Sequence, residues 1–398
     1  MSSNLPAASV QSHIMLFEPG MEGHHVSWLR YVAEDLLAAG FRLTLAVDMR
    51  PEAVKLIHDN LSSIINNVSL ISVFSEAGQF HGGSTITAMA YCLKKSGARE
   101  VFVNNLDHIA SLCLRKAAVG ILPPALLRGR ISGVYLRPRF LASAQWPPGN
   151  IIKAAGFARL CADRWFKNIF FLDEYLCVVA KEKYAGPVFH VLPDPWDGDF
   201  SLSQKEARNA LGIPTDRLVL LNYGVGDRRK GLHLTVQAML DRPLDSRLFL
   251  LCAGKVSPAR GLSDKLLTLE KQGAAKILNR YVSVAEESLC FCASDAVLLT
   301  YRKHFGSSGV LSLAAAAGKM VIASDEGLVA QRVRDHNLGW LFSSGRVAEL
   351  KKCMAGVASL SESDRDRFRL AALAYAACCS RAAFRSALLA PLSDIAGG

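Results

Sequence analysis

The residues best suited to chemistry fall in two short stretches, Gly224-Val225-Gly226-Asp227-Arg228-Arg229-Lys230-Gly231 and Phe305-Gly306-Ser307-Ser308-Gly309. The first sets three consecutive cations before a glycine, and the second sets two hydroxyls between glycines just ahead of the alanine-rich run Ala314 to Ala317. A Gly/Ser loop that opens a helix aims unpaired backbone N–H groups and the positive end of the helix dipole at one point. Such a point holds phosphate. Arg228, Arg229 and Lys230 would reach the same anion from the other side if both loops stand at one sheet edge. Each loop also has a plain reading, a turn before a packed helix and a solvated surface lysine, so the pairing of the two carries the argument.

The elements needed to bring them together are legible in the hydrophobic pattern. Leu218 to Tyr223 reads as a strand entering the first loop, Leu248 to Cys252 as a strand ending at Ala253-Gly254-Lys255, and Val297 to Thr300 as the strand entering the second. Helical stretches separate them, and Met320 to Ala323 follows as a further strand. The first half alternates in the same way, with strands at His13 to Phe17, Phe41 to Val47, Val68 to Phe74, Glu100 to Asn104, Ile131 to Leu136, Asn168 to Leu172 and Val188 to Leu192. Strict alternation of strand and helix implies a parallel sheet covered on both faces. Pro193 to Asp199 carries turn formers and no apolar period, so the chain reads as two α/β halves joined there. Two such halves place a ligand cleft at the carboxyl ends of their strands.

Candidates on the cleft side of the first half are Asp107 and His108 after VFVNNL, Glu22, Gly23, His24 and His25 in the first loop, and Arg137 after the Ile131 strand. Asp107, His108 and His25 are possible acid or base groups, although Asp107 also suits a helix cap. Arg137 suits an acceptor phosphate.

Composition narrows the class. Apolar residues make up 51% and charged residues 20%, with a formal net charge of +11. Between Arg115 and Lys167 stand Arg115, Lys116, Arg128, Arg130, Arg137, Arg139, Lys153, Arg159, Arg164 and Lys167, against Asp163 as the one acid. That basic face seeks anions, yet no nucleic-acid-binding signature accompanies it. An anionic membrane surface or phosphorylated acceptor fits, and Ala155 to Phe171 carries the mix of cations and aromatics of a surface-lying helix, or of a core helix with snorkelling cations. No apolar run is long enough to span a bilayer and the N-terminus lacks a signal pattern, so the expected location is cytoplasmic, with a peripheral position on the inner membrane face as a further option. The ten cysteines, without Cys-x-x-Cys spacing, read as small buried hydrophobes. No metal site is expected.

The second half resembles the donor-binding domain of GT-B glycosyltransferases, in particular the large, mostly retaining family that includes many bacterial polysaccharide and lipid glycosyltransferases. The likeness rests on Gly224 to Gly231 with Lys230-Gly231, on Ser294-Asp295-Ala296-Val297, on Phe305-Gly306, and on Ala316 to Ser324 followed by Gly339. The first half matches in outline, through its strand, glycine loop and the helix start at Gly23-His24-His25. The resemblance implies two Rossmann-like, doubly wound parallel-sheet domains facing across a cleft: an acceptor domain over 1–192, a linker over 193–199, a donor domain over 200–375, and a C-terminal helix over 376–398 that can cross back to the first. It implies a nucleotide sugar as substrate rather than any cofactor or metal, held by Gly226, Arg228, Arg229, Lys230, Gly254, Phe305, Gly306, Ser307, Ser308, Gly309 and Glu326. The acceptor, a glycan or lipid-linked glycan, would meet Glu22, Gly23, His24 and Arg137. One departure stands out: where the family usually carries two glutamates, this sequence has Lys303 and Leu311, with Asp325 and Glu326 as nearby substitutes. The function expected is sugar transfer in cell-surface polysaccharide, lipopolysaccharide or glycolipid assembly. A non-catalytic membrane-associated partner subunit and an epimerase or phosphorylase on the same fold are the alternatives.

Overall fold

The computed structural model describes residues 12–21, 24–142, 148–241, 245–257 and 261–392, with the backbone alone for His24 and His25. The chain divides into two compact units, one running to Leu192 and taking in the segment from Arg385, the other Pro193–Phe384.

The first unit holds seven strands: β1 (His13–Glu18), β2 (Arg42–Val47), β3 (Val68–Ser72), β4 (Glu100–Val103), β5 (Ile131–Tyr135), β6 (Phe166–Phe171) and β7 (Val188–Val191). They form one parallel sheet in the order β3-β2-β1-β4-β5-β6-β7. The second unit holds β8 (Leu218–Tyr223), β9 (Leu248–Ala253), β10 (Ala275–Leu278), β11 (Ala296–Leu299), β12 (Met320–Ser324) and β13 (Gly339–Phe342), parallel in the order β10-β9-β8-β11-β12-β13. In each sheet the order reverses once, between β1 and β4 and between β8 and β11. Such a reversal is where open α/β sheets bind ligands, outside the carboxyl ends of the strands.

Side-chain alternation explains why the strands read as unbroken apolar runs. Val219, Leu221, Leu251, Val297, Leu299, Val321 and Ala323 enter the core on one face of the second sheet, while Leu220, Leu250, Ala296, Leu298, Met320 and Ile322 enter the core on the other. Both faces are covered by helices, so both sets must be apolar. Helix starts follow local chemistry: Ser203 with Glu206 and Ser283 with Glu286 form capping boxes.

Two expectations change. Ala155 to Phe171 is not one helix, because the helix Pro148–Ala162 ends and β6 begins at Phe166. Phe157, Leu160, Trp165 and Phe170 are buried, which makes the segment core rather than a surface helix. The turn-rich 193–199 segment starts at the unit boundary but packs into the second unit. Trp196 Nε1 donates to Ala376 O at 2.8 Å, and Ser312 Oγ donates to Asp194 O at 2.9 Å. The tail forms the helices Glu362–Cys378 and Arg381–Leu389. All ten cysteines are free, and Cys378 alone is exposed.

Candidate active site

The two glycine-containing loops of the second unit leave neighbouring strands at its switch point. The first leaves β8 and the second leaves β11, and these strands are neighbours in the sheet. Gly231 makes the close approach: its φ is +72° and a Cβ there would stand 1.8 Å from Thr300 O. Thr300 Oγ1 in turn donates to Lys230 O at 3.0 Å. Only a residue without a side chain lets the helix Leu232–Leu240 begin hard against the end of β11. The loop is closed from within by Asp227, whose Oδ1 accepts from Lys230 N at 2.6 Å.

This places Lys230 over the reversal. Its half-buried Nζ lies 3.5 Å from Tyr223 O at the end of β8 and 5.7 Å from the Tyr301 ring centroid beyond β11. Burial, and next the Arg229 charge, hold its pKa down from 10.5 to about 8. A desolvated ammonium beside a second cation gains most from an arriving anion. Arg228 and Arg229 are exposed on the same loop. Gly226 and Gly254 serve the backbone: Gly226 N donates to Lys255 O at 3.0 Å, and a Cβ on Gly254 would come within 2.3 Å of Gly224 O.

The second loop is organised in part by His304, Asp194 and Tyr301, which the sequence alone does not single out. Arg229 Nη1 lies 3.2 Å from His304 Nδ1, and His304 Nε2 lies 3.0 Å from Ser307 O. A guanidinium only donates and a carbonyl only accepts, so the imidazole carries its proton on Nε2. His304 thus joins the two loops. Both expected serine hydroxyls are already engaged: Ser307 Oγ donates to Asp194 Oδ2 at 2.8 Å, and Ser308 Oγ is 2.9 Å from Tyr301 OH. Ser308 does not cap the helix Gly309–Ala316 with its side chain. What this loop presents is therefore backbone N–H and the helix dipole rather than hydroxyls. Phe305 is half exposed beside Gly306.

The carboxylate question has a structural answer. No Asp or Glu occurs between Tyr301 and Ser324. Leu311 is fully buried in the core, and Lys303 stands exposed at φ 53°. Glu326 occupies the neighbouring strand end and its Oε2 accepts from Lys303 N at 2.8 Å, while Asp325 Oδ1 accepts from Ser344 N at 2.9 Å. This bond holds Glu326 beside Lys303, two residues ahead of Phe305. Asp295, in the motif before β11, lies at the opposite end of the sheet, paired with Arg208 at 2.7 Å and accepting from Val219 N at 2.6 Å. It is structural.

In the first unit the switch point is marked by a residue that the sequence does not single out. Glu18, at the end of β1, is fully buried and accepts from Asn104 Nδ2 and from Gly20 N, each at 2.9 Å. Asp107 and Arg137 come together next to it in the sheet order. Asp107 Oδ2 accepts from Leu136 N and Arg137 N, both at 3.1 Å, so it ties the end of β4 to the end of β5. It does not cap its own helix, whose N-cap is Leu106. Burial raises the Asp107 pKa, opposed by the Leu136 amide and the Arg137 charge. His108 and Arg137 are exposed. Glu22 and Gly23, and the side chains of His24 and His25, lie outside the described residues. Among the described residues, no group of three or more His, Cys, Asp or Glu is placed to hold a metal ion.

Two doubly wound parallel sheets, with glycine-containing loops at the reversal of the second, make up the GT-B fold. The fold is shared with solved structures across nearly the whole chain. HepE of Anabaena in complex with UDP aligns with a TM-score of 0.69 at 14% identity, covering 96% of this chain and 100% of that one. The sucrose-phosphate synthase of Thermosynechococcus elongatus aligns at 0.67 and 13%, covering 97% and 99%. WaaG, a glycosyltransferase involved in lipopolysaccharide biosynthesis, aligns at 0.64 and 16%, covering 97% and 100%. Residues 203–373 match the family model of glycosyl transferases group 1. That match lies within the second unit and spans less than half of the chain. None of the curated proteins matches it in sequence.

Proposed function

We propose that the chain transfers a sugar from a uridine diphosphate sugar to a glycan or lipid-linked glycan in the assembly of cell-surface polysaccharide, lipopolysaccharide or glycolipid. The observation that carries the donor side is Lys230 at the β8/β11 reversal, against the ring of Tyr301, whose hydroxyl meets Ser308 at the start of the helix Gly309–Ala316. The choice of UDP is supported by HepE, whose complexes hold UDP and UDP-glucose. The choice of pathway is supported by WaaG.

As the bond from the anomeric carbon to the donor phosphate breaks, negative charge grows on the diphosphate. Lys230, Arg228, Arg229 and the helix amides are the groups that answer it, and no metal is required in this reading. The acceptor oxygen takes the anomeric carbon and gives up its proton, to the leaving phosphate on a retaining route or to a protein base on an inverting one. His108 and His25 are the bases proposed for the second route. Asp107 is the weaker choice because its Oδ2 already holds two amides. Arg137 is proposed to meet an acceptor phosphate.

We place the protein in the cytoplasm, peripheral on the inner membrane face. Among the described residues no helix is long and apolar enough to cross a membrane. The exposed aliphatics Leu112, Val119, Ile121, Leu122, Ile151 and Ile152 fall in and beside the basic stretch, which supports contact with an anionic bilayer.

The test is label transfer from UDP-[14C]glucose to glycolipid in anionic vesicles. Acceptor-dependent labelling supports the proposal. Turnover that needs inorganic phosphate, or none with UDP-, GDP-, ADP- or dTDP-sugars, would favour a phosphorylase or a non-catalytic partner instead.

A further inference from the structure

The Ser307 hydroxyl is held between two buried charged side chains. Ser307 Oγ donates to Asp194 Oδ2 and accepts from Arg332 Nη1, both at 2.8 Å. Asp194 is 7% exposed and Arg332 4%. Arg332 sits on the helix Gly327–Asp335, which approaches the loop so closely that a Cβ on Gly327 would stand 2.5 Å from His304 O. Asp194 is fixed in turn through its carbonyl, which accepts from Ser312 Oγ on the helix Gly309–Ala316. The Ser307 carbonyl is taken as well, by His304 Nε2.

A surface turn needs none of this. Burying a carboxylate and a guanidinium is costly unless each is bonded, and bonds to charged groups are stronger and more directional than neutral ones. Their shared target is the residue two before Gly309, where the helix amides begin. We propose that Asp194, acting with Arg332 through Ser307, is a positioning residue for donor binding: the clamp fixes the Gly306–Gly309 backbone so that the helix amides face the donor diphosphate before it arrives. The inference rests on the donor reading of this loop. Asp194 is also the second residue past Leu192, the last of the first unit before the boundary, so the clamp ties the donor loop to the chain segment that joins the units.

The experiment compares wild type, Asp194→Asn, Ser307→Ala, Ser307→Thr and the Asp194→Asn/Ser307→Ala double variant. Two readouts are taken: amide hydrogen exchange over 304–310 without ligand, and UDP affinity by calorimetry. Asp194→Asn and Ser307→Ala should each speed exchange in that segment and weaken UDP binding about ten-fold, the loss of one charge-assisted bond. The double variant should lose no more than either alone, and Ser307→Thr, which keeps the hydroxyl, should restore both readouts. A purely structural role would lower the melting temperature and leave UDP affinity of the folded protein untouched. Wild type that binds UDP, with variants unchanged in exchange and affinity, refutes the clamp alone. Wild type that binds no UDP refutes the donor reading and the clamp's function with it.

Discussion

Lys230 Nζ lies 5.7 Å from the centre of the Tyr301 ring, so the cation that leaves β8 is seated on the aromatic side chain that leaves β11. The contact spans the reversal of the second sheet. It fixes an ammonium where both loops can address one ligand, and the low surrounding dielectric that depresses its pKa also strengthens its pull on an anion.

That pKa gives a pH signature. With a native value of about 8 against an ordinary 10.5, Lys230 has lost its proton in the native state, but not in the unfolded chain, between those limits. Lys230 therefore contributes a stability that rises with pH across that window, whereas UDP affinity, which needs the ammonium, should fall across it. Calorimetry from pH 6.5 to 9.5 should show Kd rising above about pH 8 in wild type and a flatter profile in Lys230→Arg, whose guanidinium does not titrate there.

Gly231 tolerates no side chain. Its positive φ and the 1.8 Å approach to Thr300 O mean that Gly231→Ala must move a helix start or a strand end. A loss of about 3 kcal/mol or more is expected from urea unfolding, beyond the usual range for a surface change. An unchanged midpoint would show that the loops are not packed as described.

Asp295→Ala separates stability from function. Removing it strands the buried Arg208, and a loss of about 3–5 kcal/mol follows because Asp295 Oδ2 is bonded to both Arg208 Nη2 and Val219 N. The pair lies at the amino ends of β8 and β11, so the UDP affinity of the folded protein should be unchanged.

Asp107 offers a converse test. As a tie between β4 and β5, Asp107→Ala should cost about 1–3 kcal/mol by leaving two amides without their acceptor, with turnover of the folded enzyme reduced less than ten-fold. A loss of a hundred-fold or more at unchanged stability would identify Asp107 as the base instead.

Much of this architecture is legible in the sequence, because parallel strands buried on both faces must be apolar runs such as Leu218–Tyr223, and glycine before a helix marks a tight strand-to-helix turn. Short or polar strands were harder: Ala275–Leu278 contains Lys276 and lacks a clear period. The roles of Ser307 and Ser308 could not be read, because Ser307 meets a residue 113 positions earlier in the chain. The hydroxyls look free in sequence and are engaged in the fold. Glu18 escaped notice for the same reason, since its partner Asn104 is 86 positions away. His304, just ahead of the Phe305–Gly309 loop, is recognisable only once Arg229 is placed against it.

A nucleoside diphosphate site built on Lys230 at the β8/β11 reversal can be checked by titrating UDP into wild type and Lys230→Met. Saturable one-site binding to wild type is expected, weakened at least a hundred-fold in Lys230→Met, in keeping with loss of a desolvated cation facing the diphosphate. Equal affinity in the two proteins would contradict it.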